Sequence, residues 1–216
     1  MKKIVIIAST SGSILSKTLV FSEIKEHIFE VISDRYCGAI EYAKKNGIKT
    51  KVLLSYTGLE FSNKLLEYFK NKKVDCFLSF YTRIFAGDFL TYYFNRIYNF
   101  HPSLLPASPG KDGFGDTLKS GCKFFGSTLH LVDANIDTGL PVMQSVHPFQ
   151  PSLTINQNRN LLFIQQCKIF IQFILWFSKG RIKEETVIGA QYLFNEFVPN
   201  LEDDLALNFN EKFDLN

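Results

Sequence analysis

Apolar and polar residues run in blocks along the first hundred positions. Residues 3–8 (KIVIIA) are apolar without a break after Lys3, the pattern of a strand covered on both faces. Residues 9–13 (STSGS) interrupt it as a turn, and a helix is expected from about Ile14. Residues 29–33 read as a second strand. Residues 38–46 (GAIEYAKKN) read as a helix that stops at Gly47, and residues 51–54 as a short third strand. Residues 61–71 (FSNKLLEYFKN) carry apolar positions three and four apart, the spacing of an amphipathic helix. Residues 74–80 and 97–100 are two further buried strands.

Alternating strands and helices with continuously apolar strands predict an α/β chain with a mainly parallel twisted sheet, helices on both faces and right-handed crossovers. The pattern changes after residue 122. Residues 123–132 and 141–149 predict two longer strands joined by the loop 133–140, antiparallel strands toward the C-terminal half. A long helix is expected over 154–178, with Lys179 in its last turn and Gly180 ending it. Residues 181–216 read as a weak strand and a loop-rich tail. There is no internal repeat and no linker, so one domain is expected over 1–190, followed by a C-terminal tail over 191–216.

Composition narrows the function class. Apolar residues make up 46% and charged residues 21% of 216 positions, as in an ordinary globular domain. A net charge of +3, spread over short pairs such as Lys44–Lys45 and Lys72–Lys73, gives no footprint for nucleic acid. Cys37, Cys76, Cys122 and Cys167 have no metal-site or redox-motif spacing and are expected as free thiols. The greasiest stretch, residues 169–177, is about half of the ~20 residues a membrane span needs, so a buried helix is expected there. No signal-peptide core is present at the N-terminus. These features together predict a cytoplasmic protein without membrane, nucleic-acid or metal partners.

In such sheets ligands gather at the carboxyl ends of the strands. That rule puts residues 9–13, 80–85 and 99–101 on one edge. Asn99 and His101 are two apart, so they point to the same side of a strand, and Pro102 holds His101 extended. An amide and an imidazole are thus presented together. Asp137-Thr138-Gly139 offers a carboxylate on the loop between two strands. Taken alone, each of these is an ordinary turn.

The longer strings carry more. NFHPSLLPASPG at 99–110, then DGFGDTLKSG, then GSTLHLVDANIDTG ending at Gly139, closely resemble the phosphoribosylglycinamide formyltransferases, also called GAR transformylases. The resemblance spans roughly residues 3–180 and is densest over 96–144. It implies a Rossmann-like formyltransferase fold and transfer of a formyl group from 10-formyltetrahydrofolate to the amine of glycinamide ribonucleotide in purine biosynthesis. By resemblance, Asn99, His101 and Asp137 match the catalytic trio. Arg83, Ile84 and Phe85, with Asn99, Asp133, Ile136 and Asp137, match the folate cleft. Ser11, Gly12, Ser13 and Ile14 match the loop for the substrate phosphate, with hydroxyls of Ser9, Thr10, Ser11 and Ser13 as its donors. Gln166 matches the position that contacts the substrate ribose.

The phosphate loop and one position on the long helix depart from the family pattern: Gly12 and Ser13 keep the family residue, while Thr10, Ser11, Ile14 and Gln166 do not. Ile14 stands where the family shows an asparagine, and Gln166 where it commonly shows a glutamate. These changes leave room for a formyltransferase of the same fold acting on another amine, such as an amino sugar nucleotide; a catalytically idle folate-binding protein is the remaining alternative. His130 is expected to be structural, and His27 and His147 incidental. A monomer or homodimer is expected.

Overall fold

A computed structural model describes residues 2–183 and 186–187. In chain order the elements are β1 Ile4–Ala8, α1 Ser13–Thr18, α2 Ser22–Lys25, β2 Ile28–Ser33, α3 Gly38–Lys45, β3 Thr50–Val52, α4 Gly58–Phe69, β4 Cys76–Phe80, α5 Asp88–Tyr92, β5 Ile97–His101, α6 Gly113–Lys119, β6 Phe124–Leu131, β7 Pro141–Pro148, α7 Ile155–Ser178, β8 Ile182–Lys183 and β9 Thr186–Val187. The segment assigned above to a tail, residues 191–216, lies outside the described residues.

Seven strands form one sheet in the order β3-β2-β1-β4-β5-β6-β7. The first five run parallel to their neighbours, whereas β6 runs antiparallel to β5 and β7 to β6. The uninterrupted apolar run of β1 is explained by its two faces. Ile4, Ile6 and Ala8 join the core with α1, α3 and α7, while Val5 and Ile7 join the core with α4 and α5. Strand order reverses between β1 and β4, the point beyond whose carboxyl ends such sheets take a ligand.

Helix starts account for most differences from the sequence pattern. α4 begins at Gly58, before the first apolar repeat at Phe61, because the Thr57 side chain accepts the Glu60 amide at 3.1 Å. α7 is set by a capping box in which Thr154 and Gln157 satisfy each other's backbone amides. α6 escapes the periodicity because Gly113 and Gly115 sit in its first turn; the Asp112 side chain caps it by accepting the Gly115 amide. α7 is long and apolar enough to cross a membrane by length and composition, yet 67% of its most apolar window is buried inside the domain. Its C-terminal half packs Phe170, Phe173 and Phe177 against Phe80, Phe100 and Tyr98 of the sheet.

On the other face, Phe77 is fully buried and meets Phe69, Phe89 and Tyr93 edge-on at centroid distances of 5.3, 5.2 and 4.7 Å. Removing a ring so enclosed leaves a cavity that rigid neighbours on a strand and two helices cannot close. Phe77→Ala is expected to lower unfolding free energy by about 3–5 kcal/mol in denaturant titration. A loss below about 1 kcal/mol would contradict this packing.

Candidate active site

A cavity of about 680 Å³ opens at the β1/β4 reversal. Its walls come from the segment after β1, from Phe80 to Phe85 after β4, from the end of β5, from the loop 133–137 and from α7. Asn99, His101 and Asp137 all line it. So do Ser11, Gly12, Ser13, Ile14, Arg83, Ile84, Phe85, Asp133, Ile136 and Gln166. The candidates from five separate parts of the chain therefore meet at one place.

The chemistry-bearing side chains are built on strand geometry. Asn99 and His101 share one face of β5, and antiparallel pairing sets Asn99 opposite His130 on β6. The Asn99 amide nitrogen lies 3.4 Å from His130 Nε2 and 3.3 Å from the Phe100 carbonyl oxygen. Both bonds are long for an N–H donor. His130 Nδ1 lies 2.8 Å from the Leu131 carbonyl oxygen. A carbonyl only accepts, so Nδ1 carries the hydrogen and Nε2 is free to accept from Asn99. Burial lowers the His130 pKa below its ordinary value, in keeping with a neutral ring.

Asp137 reaches the same point from the β6–β7 loop. Its backbone is left-handed, with φ 52°. Thr138 donates its hydroxyl to the Asp133 carboxylate at 2.8 Å, which closes the loop. A β-carbon at Gly139 would collide with the Leu131 carbonyl oxygen, so the loop can return to the sheet only through glycine. Each residue of Asp137-Thr138-Gly139 thus has its own mechanical reason. The result places Asp137 Oδ2 3.3 Å from His101 Nδ1 and Oδ1 3.6 Å from His130 Nε2. Asp137 Oδ2 also accepts the Gly110 amide at 2.9 Å. His101 is 3% exposed and its Nε2 lies 2.8 Å from the Ser108 carbonyl oxygen.

Several expectations change in detail. His130 is part of the polar cluster and lines the cavity, although nothing local in the sequence singles it out. Ser9 does not line the cavity. Its hydroxyl is held by Thr82, 3.0 Å from Oγ1 and accepting the amide at 3.2 Å. Ser11 and Ser13 hydroxyls lie 2.8 Å apart and bond to each other, and α1 starts at Ser13 rather than Ile14. Gly12 is required for packing: φ is 76° and a β-carbon would sit 2.5 Å from Ala39 Cα. The Arg83 guanidinium is engaged with buried Asp34 at 2.5 Å and with the Ser55 carbonyl at 3.1 Å. Arg35 grips the same carboxylate through two bonds of 2.8 and 2.7 Å. Phe85 is buried and stacks on Tyr81, whereas Ile84 is 55% exposed at the rim. On α7 it is Gln166 that lines the cavity and Gln165 that is buried. His27 and His147 are not among the lining residues.

The fold and this cluster define a class: an α/β enzyme that holds a small molecule at the strand-order reversal and meets it with an amide, imidazoles and a carboxylate. Comparison with known proteins sharpens the class. The family model described as formyl transferase matches residues 2–174, and the chain belongs to that family. Several of its relatives share a name. The phosphoribosylglycinamide formyltransferase of Haemophilus influenzae is 29% identical over 192 residues, covering 85% of this chain and 90% of that protein. The Mycobacterium tuberculosis protein of the same name is 30% identical, covering 68% of this chain and 71% of its own length. The crystal structure of glycinamide ribonucleotide transformylase 1 from Symbiobacterium toebii superposes with a TM-score of 0.76 at 30% identity, covering 87% of this chain and 93% of that one. The chain is accordingly a folate-dependent formyltransferase enzyme.

The buried, neutral His130 makes a pH prediction. Its folded pKa is depressed below the ordinary 6.5, so the unfolded chain takes up the proton more readily than the folded one. Stability is full above that value and falls as pH drops below it. His130→Gln, which cannot titrate, is expected to flatten the decline in unfolding free energy between about pH 7 and pH 5. Equal slopes for the two proteins would show that His130 gains charge as easily in the fold as in the open chain.

Proposed function

We propose that this chain transfers the formyl group of 10-formyltetrahydrofolate to the primary amine of glycinamide ribonucleotide, with Asn99, His101 and Asp137 carrying the reaction. One observation supports the roles above all others. The amide, the imidazole and the carboxylate come from β5 and from a loop 36 positions further along, yet all three line one cavity, where His101 Nδ1 and Asp137 Oδ2 stand 3.3 Å apart. The name carried by the Haemophilus influenzae and Mycobacterium tuberculosis relatives supports the substrate.

Formyl transfer is acyl transfer. The amine nitrogen attacks the formyl carbon and loses a proton, while the bond from that carbon to the folate nitrogen breaks and that nitrogen gains one. Negative charge builds on the formyl oxygen in between. The Asn99 amide hydrogens, held only by bonds of 3.3 and 3.4 Å, can be exchanged for the stronger bond to that oxygen. Asp137 receives the amine proton, directly or through water, and His101 beside it stabilises the charge and relays protons. His130, kept neutral, accepts from Asn99 and so aims its amide. Ile84, Phe85 and Ile136 provide apolar wall for the flat folate ring, and loop 133–137 offers backbone groups to its polar edge. Ser11, Gly12, Ser13 and Gln166 face the amine substrate's phosphate and ribose. We place the enzyme in the cytoplasm, as a monomer or homodimer.

The phosphate end is where this chain has lost a donor, because Ile14 replaces an amide side chain in a lobe supplied by the hydroxyls of Thr10, Ser11 and Ser13. A lost hydrogen bond to a charged group is worth about 1.5–3 kcal/mol, or roughly tenfold to a hundredfold in affinity. Release of tetrahydrofolate with glycinamide ribonucleotide as acceptor tests the substrate, and Ile14→Asn tests the lobe. Turnover by the native chain with tighter substrate binding in Ile14→Asn is expected. No transfer to glycinamide ribonucleotide by either protein would reject it and move the search to other amines, amino sugar nucleotides first.

A further inference from the structure

We propose that the turn over residues 108–110 is a positioning element that sets both partners of the His101–Asp137 pair, Ser108 through its carbonyl and Gly110 through its amide. The inference rests on the catalytic reading of that pair. Neither residue carries its contribution on a side chain, so residue type gives no hint of it.

The geometry is specific. The turn reverses at two left-handed positions, Ser108 with φ 52° and Gly110 with φ 97°. The first reversal directs the Ser108 carbonyl at His101 Nε2, 2.8 Å away. The same oxygen lies 2.9 Å from the Ser103 hydroxyl, which also lies 2.7 Å from the Ala107 carbonyl. Because a carbonyl only accepts, Nε2 must carry a hydrogen. The nitrogen left for Asp137 is therefore Nδ1, and it is Nδ1 that stands 3.3 Å from Oδ2. The second reversal directs the Gly110 amide at that same Oδ2, 2.9 Å away. One carboxylate oxygen is thereby turned toward His101, and Oδ1 is left toward His130. α6 backs the arrangement from behind: a β-carbon at Gly113 would stand 2.6 Å from His101 Nε2, so the ring has no room to swing that way.

Without the turn, the imidazole could carry its hydrogen on either nitrogen and the carboxylate could rotate. The reacting groups would remain present but be wrongly aimed, a loss felt in turnover before binding.

Gly110 gives a clean test because a β-carbon there would meet no atom of the described residues within 4 Å. Gly110→Ala therefore acts through the backbone conformation alone. Gly47 is the matching control, with φ 72° and equally open space, at the far end of α3. Gly110→Ala is expected to lower kcat roughly tenfold to a hundredfold, with KM for both substrates within about threefold and a melting temperature close to that of Gly47→Ala. Imidazole nitrogen NMR of the native chain should show His101 with a hydrogen on Nε2. Ser108→Val, a β-branched residue ill-suited to φ 52°, should populate the Nδ1-protonated ring instead. Asp137→Asn separates the two layers of the reading. If it abolishes turnover while Gly110→Ala matches Gly47→Ala in kcat, the positioning role is wrong and the catalytic reading stands. If Asp137→Asn is itself near-native in kcat, the catalytic reading has failed. A native spectrum with the His101 hydrogen on Nδ1 alone overturns the positioning role even if neither turn variant folds.

Discussion

Everything at the cavity depends on how the Asp137 carboxylate is held. A partly buried carboxylate must be compensated by donors or by positive charge; here the Gly110 amide donates to it, and three separate pieces of chain close around it. The Gly110 amide arrives from the turn after β5, His101 from the end of β5 itself, and His130 from β6. The strand register that puts Asn99 opposite His130 and the left-handed residue that turns Asp137 inward are therefore parts of one construction.

The sheet supplies the rigid ground for it. Strand order reverses between β1 and β4, and the segments that follow them wall the cavity together with the end of β5 and the loop 133–137. Directly behind the cavity, Phe80 and Phe100 stack with centroids 4.5 Å apart, and Phe170 of α7 packs on both. This aromatic layer fixes the ends of β4 and β5, and hence the spacing between the segment carrying Arg83 and the segment carrying His101. The Asp34 carboxylate, gripped by Arg35 and Arg83, ties β2 to the segment after β4 on the other side. Apolar packing sets positions, and charged contacts set orientations.

The sequence reveals those features that depend on neighbours along the chain. KIVIIA announces a strand with two covered faces, and the site strings announce the trio at 99, 101 and 137. What it conceals depends on pairing across the chain. His130 joins the cluster because β5 and β6 pair in one register, a contact between residues 31 apart. Arg83 is an obvious cationic candidate, but a carboxylate 49 residues away claims its guanidinium. Ser9 and Ser11 look alike in a row of hydroxyls; only the path of the turn sends Ser9 to Thr82 and leaves Ser11 on the cavity wall. α6 is masked by two glycines that weaken its helical signal. Ser108 and Gly110 act through backbone groups, which every residue possesses.

The decisive question is whether His101 and Asp137 act as one unit. Single-turnover transfer of the formyl group, measured for the native chain, His101→Ala, Asp137→Asn and the double variant, answers it most directly. Residues that work together lose nearly everything with the first deletion. The expected result is a double variant within about threefold of the slower single variant. A double variant slowed by the product of the two single effects would mean that each side chain acts independently, and would contradict a shared proton-handling pair.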